Sequence, residues 1–95
     1  MIHHIVLFKL KDASPDNVEM LRQRYYDSLS KVESIDDLKV EVSTRKTATS
    51  YDIVQDSTFK TVGDLDLYLK DPRHHEAGRM LVQASESVAS CDYET

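Results

Sequence analysis

Apolar residues stand consecutively at Ile5-Val6-Leu7-Phe8, inside a β-branched and aromatic block spanning His3–Lys11. An unbroken run of this kind predicts a strand covered on both faces, because alternation would mark a half-exposed one. After Ser14-Pro15-Asp16 the spacing changes: Val18, Leu21, Tyr25, Leu29 and Val32 lie three or four apart and predict a helix to about Val32. Serine as cap, proline in the first turn and an acid near the positive dipole end supply its start. Leu38, Val40 and Val42 then alternate with Lys39, Glu41 and Ser43, a half-buried second strand followed by the polar loop "TRKTATS". A third strand is predicted over Tyr51–Phe59, although Gln55, Asp56, Ser57 and Thr58 make its second half polar. Thr61-Val62-Gly63-Asp64 resembles a capping box and opens a short helix carrying Leu65, Tyr68 and Leu69. Asp71-Pro72 restarts it, aspartate as cap and proline at the first position, and the second piece is expected to run to about Ser87. Val88–Tyr93 reads as the last strand. No internal repeat or low-complexity segment interrupts this order.

The order is β-α-β-β-α-β. Right-handed crossovers put both helices on one side of a four-stranded antiparallel sheet, the ferredoxin-like α+β arrangement. The opposite face then lacks cover within the chain, yet the first strand is apolar on both sides. Face-to-face packing of a second copy, giving a homodimer, satisfies both conditions.

Ninety-five residues make one domain, 1–95, small enough for a partner subunit to add noticeably to its stability. Twelve basic against seventeen acidic residues leave a net charge of −5, which argues against nucleic acid or an anionic membrane as partner. No apolar run approaches the length of a membrane span, no signal peptide is recognisable, and Cys91 alone excludes an intrachain disulfide or cysteine-rich zinc site. These features lead to the expectation of a cytoplasmic protein.

The segments "HHIVLFKLK", "YDIV", "YLKDPRHHEAG" and "DYE" resemble, in order and through essentially the whole chain, the stress-responsive A/B barrel domain family. That resemblance implies a dimeric α+β barrel. The family's common Tyr-Leu-x-His-Pro-x-His is present as Tyr68-Leu69-Lys70-Asp71-Pro72-Arg73-His74, with Asp71 in place of the first histidine. One relative is the plant polyketide cyclase that makes olivetolic acid; its acting tyrosine and histidine match Tyr68 and His74. It also has a first-strand histidine, which aligns with either His3 or His4.

On the last helix Ala77, Leu81, Ala84 and Val88 mark a buried stripe, and counting back from Ala77 and Gly78 places His74 on it. His75 lies about 100° away, toward solvent, and Glu76 does not share the inward face. The three are therefore not a chelating set, and the His-Glu-x-x-His spacing is absent. His74 is open to three readings: a satisfied core histidine, a general base in a pocket between helix and sheet, or a polar group that orients a ligand. Tyr68 is either a core aromatic or a partner that orients His74 or donates to a developing enolate oxygen. His3 and His4 point to opposite faces of the first strand, so one of them can approach His74. Gln55 with Ser57 and Asp56 with Thr58 likewise face opposite ways, one pair toward the helices and the other toward the dimer interior.

Three functions follow from these readings. The first is a cofactor-free enzyme, cyclase- or isomerase-like, with His74 as base and Tyr68 and His4 or His3 beside it. The second is a module that binds a small carbonyl-containing or apolar ligand without turnover, or serves in stress; the third is a purely structural dimer. No phosphate-cradling glycine loop is present, and neither haem, flavin nor a metal is called for.

Overall fold

The computed structural model describes residues 1–95. The chain runs β1 (Ile2–Leu10), α1 (Pro15–Leu29), β2 (Asp37–Val42), β3 (Ile53–Phe59), α2 (Val62–Lys70), α3 (Pro72–Gln83) and β4 (Ser85–Glu94). The strands form one antiparallel sheet in the order β2-β3-β1-β4, a ferredoxin-like α+β fold.

Side-chain alternation sorts β1 and β3 between two environments. Ile2, Phe8 and Leu10 of β1 and Ile53 and Phe59 of β3 join the core beneath Leu21, Tyr25 and Leu29 of α1, Leu65 and Tyr68 of α2, and Leu81 of α3. Ile5 and Leu7, pointing the other way, are only half-buried. One chain therefore does not achieve the two-sided burial that the apolar run predicts. The face turned from the helices is apolar at its centre, where Leu7 lies between Val54 and Ala89. Asp56 shares that face, in register with Ile5 and Lys39.

Local chemistry explains most boundaries. Thr61 Oγ1 accepts from the Asp64 N–H at 3.1 Å, and Asp71 Oδ1 accepts from the Arg73 N–H at 2.8 Å, so α2 and α3 are both capped by side chains. Ser14 occupies the cap position of α1 but its hydroxyl makes no cap bond. Helix α1 stops at Leu29, short of Val32, where the Val32 N–H closes on the Leu29 carbonyl in a tighter turn; Val32 stays buried there.

The larger difference is at the end of α3. The helix ends at Gln83, not near Ser87, and the Ser85 hydroxyl donates to the Leu81 carbonyl at 2.7 Å. From Ser85 the chain pairs with Leu10, gaining sheet hydrogen bonds that a longer helix would forfeit. The predicted stripe therefore ends with Ala84 as the helix cap, and Val88 is exposed on β4. Strand β3 begins at Ile53, two residues after the predicted Tyr51, because Asp52 turns its carboxylate onto the Leu10 N–H at 2.8 Å. No helix is long and apolar enough to cross a membrane.

Candidate functional site

Strand register sets Leu38, Ser57, His4 and Asp92 in one cross-strand row on the helix face of the sheet. His4 is buried there, and its Nδ1 lies 2.5 Å from Asp92 Oδ1. A carboxylate on Nδ1 holds the ring's hydrogen on that nitrogen and leaves Nε2 with the lone pair when the ring is neutral. Asp92 itself is half-exposed, so the pair stands at the edge of the core.

Tyr68 reaches this row from α2. Its ring centre is 5.7 Å from that of His4 and 5.2 Å from that of Phe59. His74, in the first turn of α3, packs on the same tyrosine at 4.3 Å with a 49° tilt. The Asp71-Pro72 break makes this meeting possible. It ends α2, and the Asp71 cap starts α3 at once, so residues six apart in sequence come into ring contact.

His74 is half-buried, and its Nδ1 is sealed from solvent without a hydrogen-bond partner. Burial, reinforced by the nearby His75, pulls its pKa below the usual histidine value; the Leu69 backbone and the Asp71 carboxylate act in the opposite sense. The ring is consequently neutral near pH 7.

Beneath Tyr68 lies a buried polar network. Tyr25 Oη donates to Gln55 Oε1 at 2.6 Å, while Gln55 Nε2 donates to Tyr68 Oη at 2.9 Å and to Ser57 Oγ at 3.1 Å. Ser57 passes its own hydrogen to the His4 carbonyl at 3.1 Å. Gln55, Ser57 and Tyr68 have no exposed surface. Burial pushes the Tyr68 phenol up to about 12, against the lowering effect of its bonds to Gln55 and Tyr25, and drives Tyr25 higher still. Both phenols keep their protons throughout the physiological range.

The structure thus brings together three of the residues singled out above, His74, Tyr68 and His4. His3 points to the open face, stacks on Tyr93 with ring centres 4.4 Å apart, and meets Thr95 Oγ1 at 3.1 Å. His75 and Glu76 are exposed, and nowhere do three or more metal-ligating side chains converge. Gln55 and Ser57 are the inward pair; Asp56 and Thr58 lie on the open face. Sequence reasoning missed Asp92 and the polar role of Tyr25. Alternation separated Gln55 and Ser57 from Asp56 and Thr58 without saying which pair turns inward; the Asp92 contact bridges 88 positions and had no local signal.

A family model for the Stress responsive A/B Barrel Domain matches residues 2–95. Among curated proteins none matches the chain. Similar solved structures include a dimeric ferredoxin-like protein from Bacteroides fragilis, 28% identical with a TM-score of 0.79 over 99% of this chain and 95% of that one. A Dabb family protein from Mesorhizobium loti is 22% identical, with a TM-score of 0.85 over 99% and 95% of the two chains. A hydroxynitrile lyase from Passiflora edulis is 18% identical, with a TM-score of 0.81 over 97% and 90%. The last two likenesses concern the fold.

Proposed function

Because the chain belongs to the stress-responsive A/B barrel domain family, we propose that it is a homodimer that removes a proton from carbon next to a carbonyl in a small molecule, without a cofactor. The observation that carries this reading is the meeting of His74, a half-buried and neutral imidazole in the first turn of α3, with Tyr68 and with the His4 ring that Asp92 holds. Such a ring is a competent base at neutral pH. In the proposed step the C–H bond breaks, the proton passes to His74, and the electron pair moves to the carbonyl oxygen as an enolate. Protonation at carbon or attack on a second carbonyl then gives an isomerised or cyclised product. Tyr68, fully covered, supports the His74 ring and does not touch the ligand. His4, fixed by Asp92 on the other side of Tyr68, supplies the second polar contact.

The homodimer rests on the half-buried Ile5, Leu7 and Val54 of the open sheet face, and on dimeric proteins among the structures that share the fold. One observation favours a binding module without turnover: His74, unlike His4, has no carboxylate hydrogen-bonded to its ring, and Asp71 acts on it only at a distance.

Exchange of carbon-bound hydrogen for deuterium separates the two. A panel of small ketones and β-diketones in D2O, followed by proton NMR, should show enzyme-dependent exchange next to the carbonyl. His74→Ala should slow it by about 10²–10⁴-fold, and exposed His75→Ala, which acts on the ring only through its pKa, should change it by far less. Binding without exchange, or equal loss in both variants, selects the binding module.

A further inference from the structure

We infer that Gln55 sets how deep a ligand can enter this site and thereby restricts it to short, oxygen-bearing molecules. This rests on the reading of His74 and His4 as the ligand-facing residues. From the half-exposed Asp92, the cross-strand row leads inward through His4 to Ser57. A ligand chain passing His4 along this row would meet Ser57 and, one helix-facing position along β3, Gln55. That space is taken. Gln55 extends from the sheet to the hydroxyls of Tyr25 on α1 and Tyr68 on α2, and closes on Ser57.

Hydrogen accounting makes the closure specific. Ser57 spends its hydrogen on the His4 carbonyl, so toward Gln55 it can only accept. Gln55 gives one amide hydrogen to Ser57 and one to Tyr68, and its oxygen takes the Tyr25 hydrogen. Both ends of the amide are committed. An alkyl chain pushed into this region would strand up to four polar groups, whereas a small polar ligand held at His74 and His4 disturbs none.

The test uses straight-chain methyl ketones of increasing length as probes. Affinity is measured by NMR titration, read on the His74 ring resonances and on those of Tyr25. In the native chain affinity should stop rising beyond the shortest members. Gln55→Ala, checked for native folding by its spectrum, opens room for about two methylenes, each worth about fourfold in affinity. A gain of roughly fifteenfold across two added carbons is expected. Gln55→Leu refills the space and should restore the plateau. The inference is overturned if the native chain already gains affinity with each carbon, or if folded Gln55→Ala gains none. Long ketones that shift Tyr25 in Gln55→Ala while leaving His74 unmoved would uphold the role of Gln55 and refute the His74 site.

Discussion

Replacing Gln55 by leucine removes the hub of the buried network at nearly constant side-chain size. Tyr25 then keeps a hydroxyl hydrogen with no acceptor, and Tyr68 and Ser57 each lose a donor, all at positions with almost no exposure. A buried polar group left unpaired costs about 1–3 kcal/mol, and burying leucine in place of an amide offsets part of that. The net expectation is a loss of about 2–3 kcal/mol. Tyr25→Phe alone leaves the Gln55 carbonyl oxygen unpaired and takes the Tyr25 contact from the Tyr68 hydroxyl, and should cost about 1–3 kcal/mol. Combined with Gln55→Leu it removes the stranded hydroxyl, so the double variant should be destabilised by about 1–2 kcal/mol less than the sum of the two. Urea unfolding at one fixed protein concentration measures all four proteins, since the stability of a dimer depends on concentration. Additivity within about 0.5 kcal/mol would show that the two side chains do not share a network.

Acid stability should respond to His74. Above about pH 6.5 the ring is neutral whether folded or not; below it the unfolded chain takes a proton that the buried ring resists, so stability falls with pH. His74→Gln should flatten that fall, measured by urea midpoints between pH 5 and 7, and an unchanged slope would contradict the burial argument. At the alkaline end the sign reverses: the unfolded phenol ionises near 10 but Tyr68 holds its proton to about 12, so stability drops across that window and Tyr68→Phe should lessen the drop. Leu7→Lys, on the open sheet face, should shift the protein to monomer in sedimentation at micromolar concentration; an unaltered dimer would place the interface elsewhere.

The fold was legible because its signals are local. Pro15 and Pro72 mark helix starts, Thr61 and Asp71 supply caps, and the change from alternation to three-and-four spacing separates strands from helices. The end of α3 was misread for the same reason. Ala84 and Val88 fit a helical stripe perfectly well, and only the pairing of β4 with β1 across the sheet decides that the helix yields at Gln83. In the site, the helical spacing identified His74 as the inward member of the histidine pair. Choosing His4 over His3 required knowing which side of β1 the helices cover. Asp92 required the register of β1 with β4, a relation between chain ends that no window of sequence contains.

The proposed chemistry is tested most directly by measuring exchange rate and histidine ionisation in the same samples. Deuterium exchange next to the carbonyl of the most responsive ketone is followed from pH 5 to 8, with the His74 ring titrated by NMR alongside. Catalysis by His74 requires the rate to fall as pH drops through the His74 pKa, which lies below the ordinary histidine value, and this limb to vanish in His74→Ala. A rate that falls at a different pH from the His74 titration, or persists unchanged in His74→Ala, would contradict it.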